Sequence, residues 1–369
     1  MATNYAEKYA QQVDEKFTQA SITERAINKD YDFVGAKTVK VFSVPTVAMN
    51  DYQRSGANRY GMPSELENAV QEMTMSRDRA FTFTVDKGTD TDTDGQMNAG
   101  KALNRQIAEV MVPEVDAYRL TKMCRGAKTV QIGAYTGTGN AGAYERVLDA
   151  QAALDDALVP RSGRVLFVTS AFRKAIMLDD NFVKPSEMTS KVLMTGQFGE
   201  VDGLPIVLAP SGYLPSGVSL LLCHPSATTA PQKLSEYKTH IDPPGINGVL
   251  VEGRDYYDAF VLDNKKCALY ALRGTLAALT VTSIAGSASG KTKVTVKGAS
   301  DAIGLMGTLV YKAGASQAAP ALGDDVSGWA ALTEGTDITA TNGQKIAVAI
   351  KDEGGKAIGG GVTTIVSAS

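Results

Sequence analysis

The sequence predicts an α+β body followed by a small all-β sandwich, and three observations carry that expectation. Usage of Gly and charge changes near residue 275: the last 95 residues hold 15 of the 36 glycines and no arginine, in short alternating runs between turns. Before that boundary, helical and strand-like patterns are mixed without regular βαβ repeats. The length of 369 residues exceeds what one hydrophobic core usually supports, while 44% apolar and 21% charged content is ordinary for a globular chain.

The N-terminal segment, residues 1–37, reads as an arm. Tyr5, Tyr9, Val13 and Phe17 recur four apart, which lines one face of a helix with apolar groups and leaves the rest polar. Such an arm has too little apolar surface to form a domain and needs a surface to lie on. Residues 38–94 read as an extended loop. Thr38–Val44 and Phe81–Val85 alternate as strands and are expected to pair as the two sides of a long hairpin, presenting Phe81, Phe83 and Val85 on one face.

Residues 95–274 supply the body. Met97, Leu103, Ile107 and Met111 share a helix face, Asp94 is placed to cap that helix, and Pro113 is expected to kink or restart it before Val115–Met123. A second helix runs through Val147, Leu148, Leu154 and Leu158, followed by a strand at Arg164–Val168 and a short helix capped by Ser170. A turn at residues 199–203 feeds a strand to Leu208, and further strands are expected at 218–223, 259–262 and 268–272. In residues 275–369 the strands are 279–284, 293–297, 307–312, 345–350 and 362–366, with the single tryptophan, Trp329, assigned to their core.

Composition removes several function classes. With 37 basic against 40 acidic residues, net charge −3, no stripe of cations interleaved with aromatics marks a nucleic-acid surface. No apolar run is long enough to span a bilayer, and the charged N-terminus does not read as a secretory signal. Three widely spaced cysteines, Cys124, Cys223 and Cys267, argue against a disulfide framework and for a reducing compartment.

The motifs that invite chemistry are incomplete. Asp90, Asp92, Asp94 and Gly95 open like a calcium loop, but the twelfth position, which should be a bidentate Glu, is Lys101. Ala285–Thr292 resembles a relaxed phosphate loop, yet a strand pattern follows where the phosphate-binding mechanism needs a helix. Cys223 and His224 are strand neighbours facing opposite ways. Glu65, Glu67 and Glu72 read as a solvated face, and the basic pairs Arg77 and Arg79, Arg161 and Arg164, and Lys265 and Lys266 as salt-bridge partners. A non-enzymatic chain with no catalytic residue, cofactor or metal is expected.

The order of parts, arm, extended loop, long helix from Gln96 and α/β domain, together with the runs Gln96–Tyr118, Gly163–Phe172 and Gly203–Leu208, resembles the Hong Kong 97-type major capsid protein of tailed bacteriophages over residues 1–274. Residues 275–369, through Leu309–Gly314 and Thr336–Ile346, are similar to immunoglobulin-like domains appended to phage surface proteins. The resemblance implies a homo-oligomer of hexameric and pentameric capsomers in the virion, made in the bacterial host cytoplasm. It implies a shell that encloses double-stranded DNA without sequence-specific binding, a portal, and no membrane partner. The helix begins too early in the chain to leave room for a long cleaved scaffolding segment, so a separate scaffolding protein is expected. No pair here matches the Lys and Asn through which some members cross-link, so assembly is expected to be non-covalent. Tyr5, Tyr9, Val13, Phe17, Phe81, Phe83 and Val85 are the candidate assembly contacts, and the sandwich is expected on the outer surface. The competing reading is a surface carbohydrate-binding protein that uses the β-sandwich.

Overall fold

A computed structural model describes residues 21–31, 37–43, 46–63, 65, 69–88, 98–133, 135, 142–179, 200–210, 212–301, 304–352 and 354–368. The chain divides into two units, each assembled from separated stretches. Tyr5, Tyr9, Val13 and Phe17, the aspartates of the calcium-like run and Met97 lie outside the described residues.

The smaller unit is built on a three-stranded antiparallel sheet. Its central strand, Gly248–Tyr257, is flanked by Gln232–Ile241 on one side and Arg77–Asp86 on the other. This corrects the expected hairpin: the strand carrying Phe81 pairs with Gly248–Tyr257, with Phe83 opposite Val251, and not with Thr38–Val44. The two long strands at 232–257 were not anticipated, because charged and polar residues such as Lys233, Glu236, Lys238, Glu252 and Arg254 blur the alternation of their apolar residues.

The same unit contains a helix, Ala99–Gln106, whose N-cap is Asn98; its side chain accepts a hydrogen bond from the Gly100 amide. Asp94, expected as the cap, lies outside the described residues. A π turn, Ile107–Met111, joins this helix to a second, Val112–Gly126. The Val112 amide reaches back to the Ile107 carbonyl, one residue further than in an α-helix. A proline ring clashes with the carbonyl four residues back in regular α geometry. The wider turn relieves that clash, and the α-helix restarts at Val112 beside Pro113, as expected.

In the larger unit, Thr38–Ser43 pairs antiparallel with Ala69–Thr74, from Thr38 opposite Thr74 to Ser43 opposite Ala69, forming the base of a hairpin whose described tip residues are 46–63 and 65. The α/β core is a six-stranded mixed sheet in the order 129–132, 269–273, 218–223, 165–169, 204–209, 200–201. Helices Ala143–Asp156 and Ser170–Leu178 bury Val147, Leu154, Phe172 and Ile176 against Leu166, Val168, Leu220 and Leu222. The short helix is capped by the Thr169 hydroxyl, which accepts from the Phe172 amide; Ser170, expected there, is the first helical residue. Leu158 lies past the end of its helix with φ 56° and is exposed.

The C-terminal region is built on two main sheets, one of five strands (277–278, 357–364, 345–351, 308–314, 330–331) and one of three (280–285, 291–297, 337–339), beside a two-stranded pair, 300–301 with 304–305. Val281, Val294, Leu309, Ile338, Ile346, Val348, Ile350 and Ile358 fill the space between the two main sheets. Ala285 and Thr292 face each other at the end of a hairpin, so the phosphate-loop-like run is a β-turn. The sandwich is docked on the α/β body: Ile132 packs against its core and both Arg125 to Asp301 oxygen distances are 2.8 Å. Gly217, with φ 86°, lets the two parts approach; a Cβ there would lie 2.6 Å from the Thr275 carbonyl oxygen.

Trp329 is corrected from the core. It is half-buried over Val310, Val326, Ala349 and Ala357, on the face of the five-stranded sheet opposite Ile346, Val348 and Ile350.

Candidate assembly surfaces

The hairpin is held at its root and bare at its tip. Asp258, almost fully buried, accepts from the Ser76 amide and hydroxyl, the Tyr118 hydroxyl and the Ala259 amide, all at 2.8–2.9 Å, with the Lys122 ammonium at 3.7 Å. The Gln71 side chain forms a second clamp. Its amide donates to the Val261 carbonyl at 2.8 Å and its carbonyl accepts from the Asp263 amide at 3.0 Å. Met73 and Met75 are buried beside these bonds. A buried carboxylate surrounded by donors fixes orientation, because no rotation of the strand keeps every donor satisfied.

Beyond the root, apolar groups face solvent. Met49 is 99% exposed, Tyr60 84%, Met62 79% and Phe42 64%. The tip nevertheless has structure: the Gly61 amide bonds the Asn58 carbonyl at 2.8 Å, and the Tyr52 and Tyr60 rings meet edge to face at 5.0 Å. Apolar side chains exposed together on one hydrogen-bonded element mark a contact surface more strongly than scattered exposed ones.

In the smaller unit, Phe81 and Phe83 stack at 6.1 Å and Phe81 lies 6.3 Å from the Tyr237 ring. Gly253 makes room for this, since a Cβ there would fall 2.3 Å from the Phe81 ring. Phe81 and Phe83 are half-buried, whereas Val85 is buried within its own unit. Thus Phe81, Phe83 and Val85 sit in one sheet as expected, but in the sheet of Gly248–Tyr257 and not in the hairpin on which they were placed. The bare tip residues Met49, Tyr60 and Met62 were missed; their isolation in a polar loop gives no periodic signal.

Next to Phe81, a cavity of about 200 Å³ opens beside the π turn, lined by Arg79, Val110, Met111, Glu114 and Tyr257. Glu114 binds the Arg79 Nε at 2.7 Å and holds that guanidinium above its ordinary pKa; Tyr257 is pushed up to about 12, chiefly by burial.

Of the other basic residues singled out by sequence, Lys266, Arg161 and Arg164 are paired within the chain, and further cations are paired likewise. Arg254 bonds Asp78 at 2.7 and 2.9 Å, Lys266 bonds Asp263 at 2.7 Å, and Lys40 bonds Glu72 at 2.6 Å. Arg161 and the wholly buried Arg164 share Asp155, whose carboxyl they hold below its ordinary value. Cys223 donates to the Val165 carbonyl, and the His224 ring engages the Ser226 hydroxyl and Ser162 carbonyl, so the two residues serve separate contacts. Burial pushes the Cys124 thiol up to about 12 and Cys223 upward as well, which leaves little thiolate for nucleophilic chemistry.

Residues 284–367 match the family model described as the S-layer protein SbsC C-terminal domain. No curated protein matches the chain in sequence. Among solved structures, a chain of Mycobacterium phage Che8 is similar with TM-score 0.62 and 17% identity, over 73% of this chain and 97% of that one. A chain of the Cyanophage P-SCSP1u capsid is similar with TM-score 0.56 and 12% identity, over 73% and 92%. One from the bacteriophage PhiM1 mature capsid gives TM-score 0.54 and 11% identity, over 73% and 91%. The chain thus has the Hong Kong 97-type capsid fold, extended by an all-β, immunoglobulin-like sandwich.

Proposed function

We propose that the chain is the major capsid protein of a tailed phage, self-assembling into the icosahedral shell that encloses its double-stranded DNA. The observation that carries the reading is the hairpin: a root clamped by Asp258 and Gln71, and an ordered tip whose Met49, Tyr60 and Met62 are uncovered by their own chain. Clamping the root sets the direction of the arm before assembly, so less freedom is lost when the tip meets a neighbouring copy. Repeated around a closed ring, individually modest contacts give a stable shell through avidity. The likeness to phage capsid chains supports this role.

In the same proposal, the N-terminal arm with Tyr5, Tyr9, Val13 and Phe17 and the Phe81–Phe83 face supply further contacts between copies. Capsomers are hexameric and pentameric, and assembly is guided by a separate scaffolding protein and a portal. The protein is structural, is made in the host cytoplasm and resides in the virion. The sandwich faces outward, where it does not intrude on packaged DNA. Near-neutral charge suits a container whose wall should not bind the duplex tightly.

Electron microscopy of the purified full-length chain tests the reading. Icosahedral particles or rings of capsomers are expected; a chain that stays monomeric at high concentration overturns it.

A further inference from the structure

The chain carries two Asn-Gly pairs, Asn247 with Gly248 and Asn342 with Gly343, and both asparagines are exposed. They differ in what the glycine amide does. In the second pair, the Gly343 amide donates to the Ile365 carbonyl at 3.0 Å, and the Asn342 Oδ1 accepts from the Ser367 amide at 3.2 Å. In the first, the Lys87 amide donates to the Asn247 carbonyl at 3.0 Å, which makes Gly248 and its partner Asp86 a pair without hydrogen bonds between them. On the other side, the ladder with Gln232–Ile241 ends at Ile241 opposite Val249, and its last bond runs from the Asp242 amide to the Gly248 carbonyl at 2.7 Å. Among the described residues, neither neighbouring strand supplies an acceptor for the Gly248 amide.

We propose that this first pair is a self-modifying site, at which Asn247 converts to aspartate and isoaspartate. The Gly248 nitrogen gives up its proton to water or hydroxide and attacks Cγ of the Asn247 side chain. A C–N bond forms, the side-chain nitrogen takes up a proton and leaves as ammonia, and a five-membered succinimide ring remains. Water then adds to one of the two ring carbonyls and the C–N bond there breaks. In sum, one side-chain amide and one water give one carboxylate and one ammonium ion.

The fold favours this step at Gly248. The Lys87 amide donates to the oxygen of the very peptide unit that must lose its proton. The charge left on that unit spreads onto its oxygen, where the donor stabilises it. No bond has to be broken to free the nitrogen, whereas Gly343 must first give up Ile365 and Asn342 its tie to Ser367. The position is also fixed as glycine, which leaves the nitrogen unshielded: φ is 153°, and a Cβ would fall 2.2 Å from the Val85 carbonyl oxygen. The product places a new carboxylate next to Gly248, which Asp86 and Asp242 already flank, and isoaspartate lengthens the backbone at the start of the central strand. The modification needs no assembled particle and stands apart from the shell proposal.

The folded full-length chain is incubated at mildly alkaline pH, and both pairs are followed by peptide mapping with mass spectrometry, isoaspartate being detected by enzymatic methylation. Asn247 should convert about tenfold or more faster than Asn342. In guanidinium the two pairs should react at comparable rates, which assigns the difference to the fold. Asn247→Gln, whose longer side chain would need a six-membered ring, should abolish the fast conversion without changing the melting temperature. Conversion of Asn247 no faster than that of Asn342 in the folded chain overturns the proposal, as does a preference that persists unchanged in guanidinium.

Discussion

Ser76 donates both its backbone amide, at 2.8 Å, and its hydroxyl, at 2.9 Å, to a single oxygen of Asp258, a residue 182 positions away in sequence. The other oxygen of that carboxylate takes the Tyr118 hydroxyl and the Ala259 amide. One buried group therefore ties together the end of the hairpin, the second helix and the segment leading to the central sheet. The hairpin is a limb set in a socket, which is the physical basis for reading its tip as a contact surface.

Asp258→Ala should destabilise the fold by about 2–4 kcal/mol, because several donors are left unsatisfied at a nearly inaccessible site. Asp258→Asn, which keeps the shape and one acceptor, should lose less. Chemical denaturation of the two variants measures the difference; equal stability of wild type and the Ala variant would show that the joint contributes nothing.

Replacing Tyr60 and Met62 together by Ser should leave folded yield unchanged, since both side chains are largely solvent-exposed. Particle formation should fall sharply. The check is a comparison of soluble monomer by gel filtration with particles by microscopy, and normal particles would remove the tip from the assembly contacts.

Phe81→Ser with Phe83→Ser breaks a stacked pair that is only half-buried. A local cost of about 1–2 kcal/mol is expected from the lost ring contact and area. The loss of particles should exceed the loss of folded protein. Parallel losses would instead mark the pair as internal packing.

Asp155 carries a pH dependence with a defined sign. Arg161 first and Arg164 second hold its carboxyl below the ordinary value of 3.8. Its ionised form is favoured in the folded state, so the stabilisation is present above that ordinary value and is lost as pH falls through the depressed one. Melting temperature should drop over that acid range, and Asp155→Asn should flatten the drop while lowering stability at neutral pH. Thermal melts across pH in wild type and variant decide it.

Removing residues 276–369 deprives Arg125 of Asp301 and uncovers Ile132. A lower melting temperature is expected, with shells still assembling, because the hairpin and its clamps precede the cut. Failure of the truncated chain to form any particle, with its fold intact by circular dichroism, would place the sandwich among the building contacts.

Much of the architecture was legible because local patterns report local burial. Alternation in 345–350 and the periodic apolar residues Val147 and Leu154 state which side of an element turns inward, and the sandwich was readable from such runs together with Gly and Asp turns. The same logic assigned Phe81, Phe83 and Val85 to one face of a strand. It could not say which strand lies beside them. Alternation marks a face and leaves the edge unspecified, so Thr38–Val44 was an equally acceptable partner until Gly253 opened a seat for the Phe81 ring on Gly248–Tyr257.

The amino-acid sequence by itself determined the kinds of element and much of their order, because each depends on side chains a few positions apart. Only the tertiary structure decided which strands pair, that Asp258 and Gln71 clamp the hairpin, and that Trp329 stands outside the sandwich core. Those outcomes depend on groups brought together from distant stretches, where desolvation and hydrogen-bond satisfaction act on the whole arrangement at once.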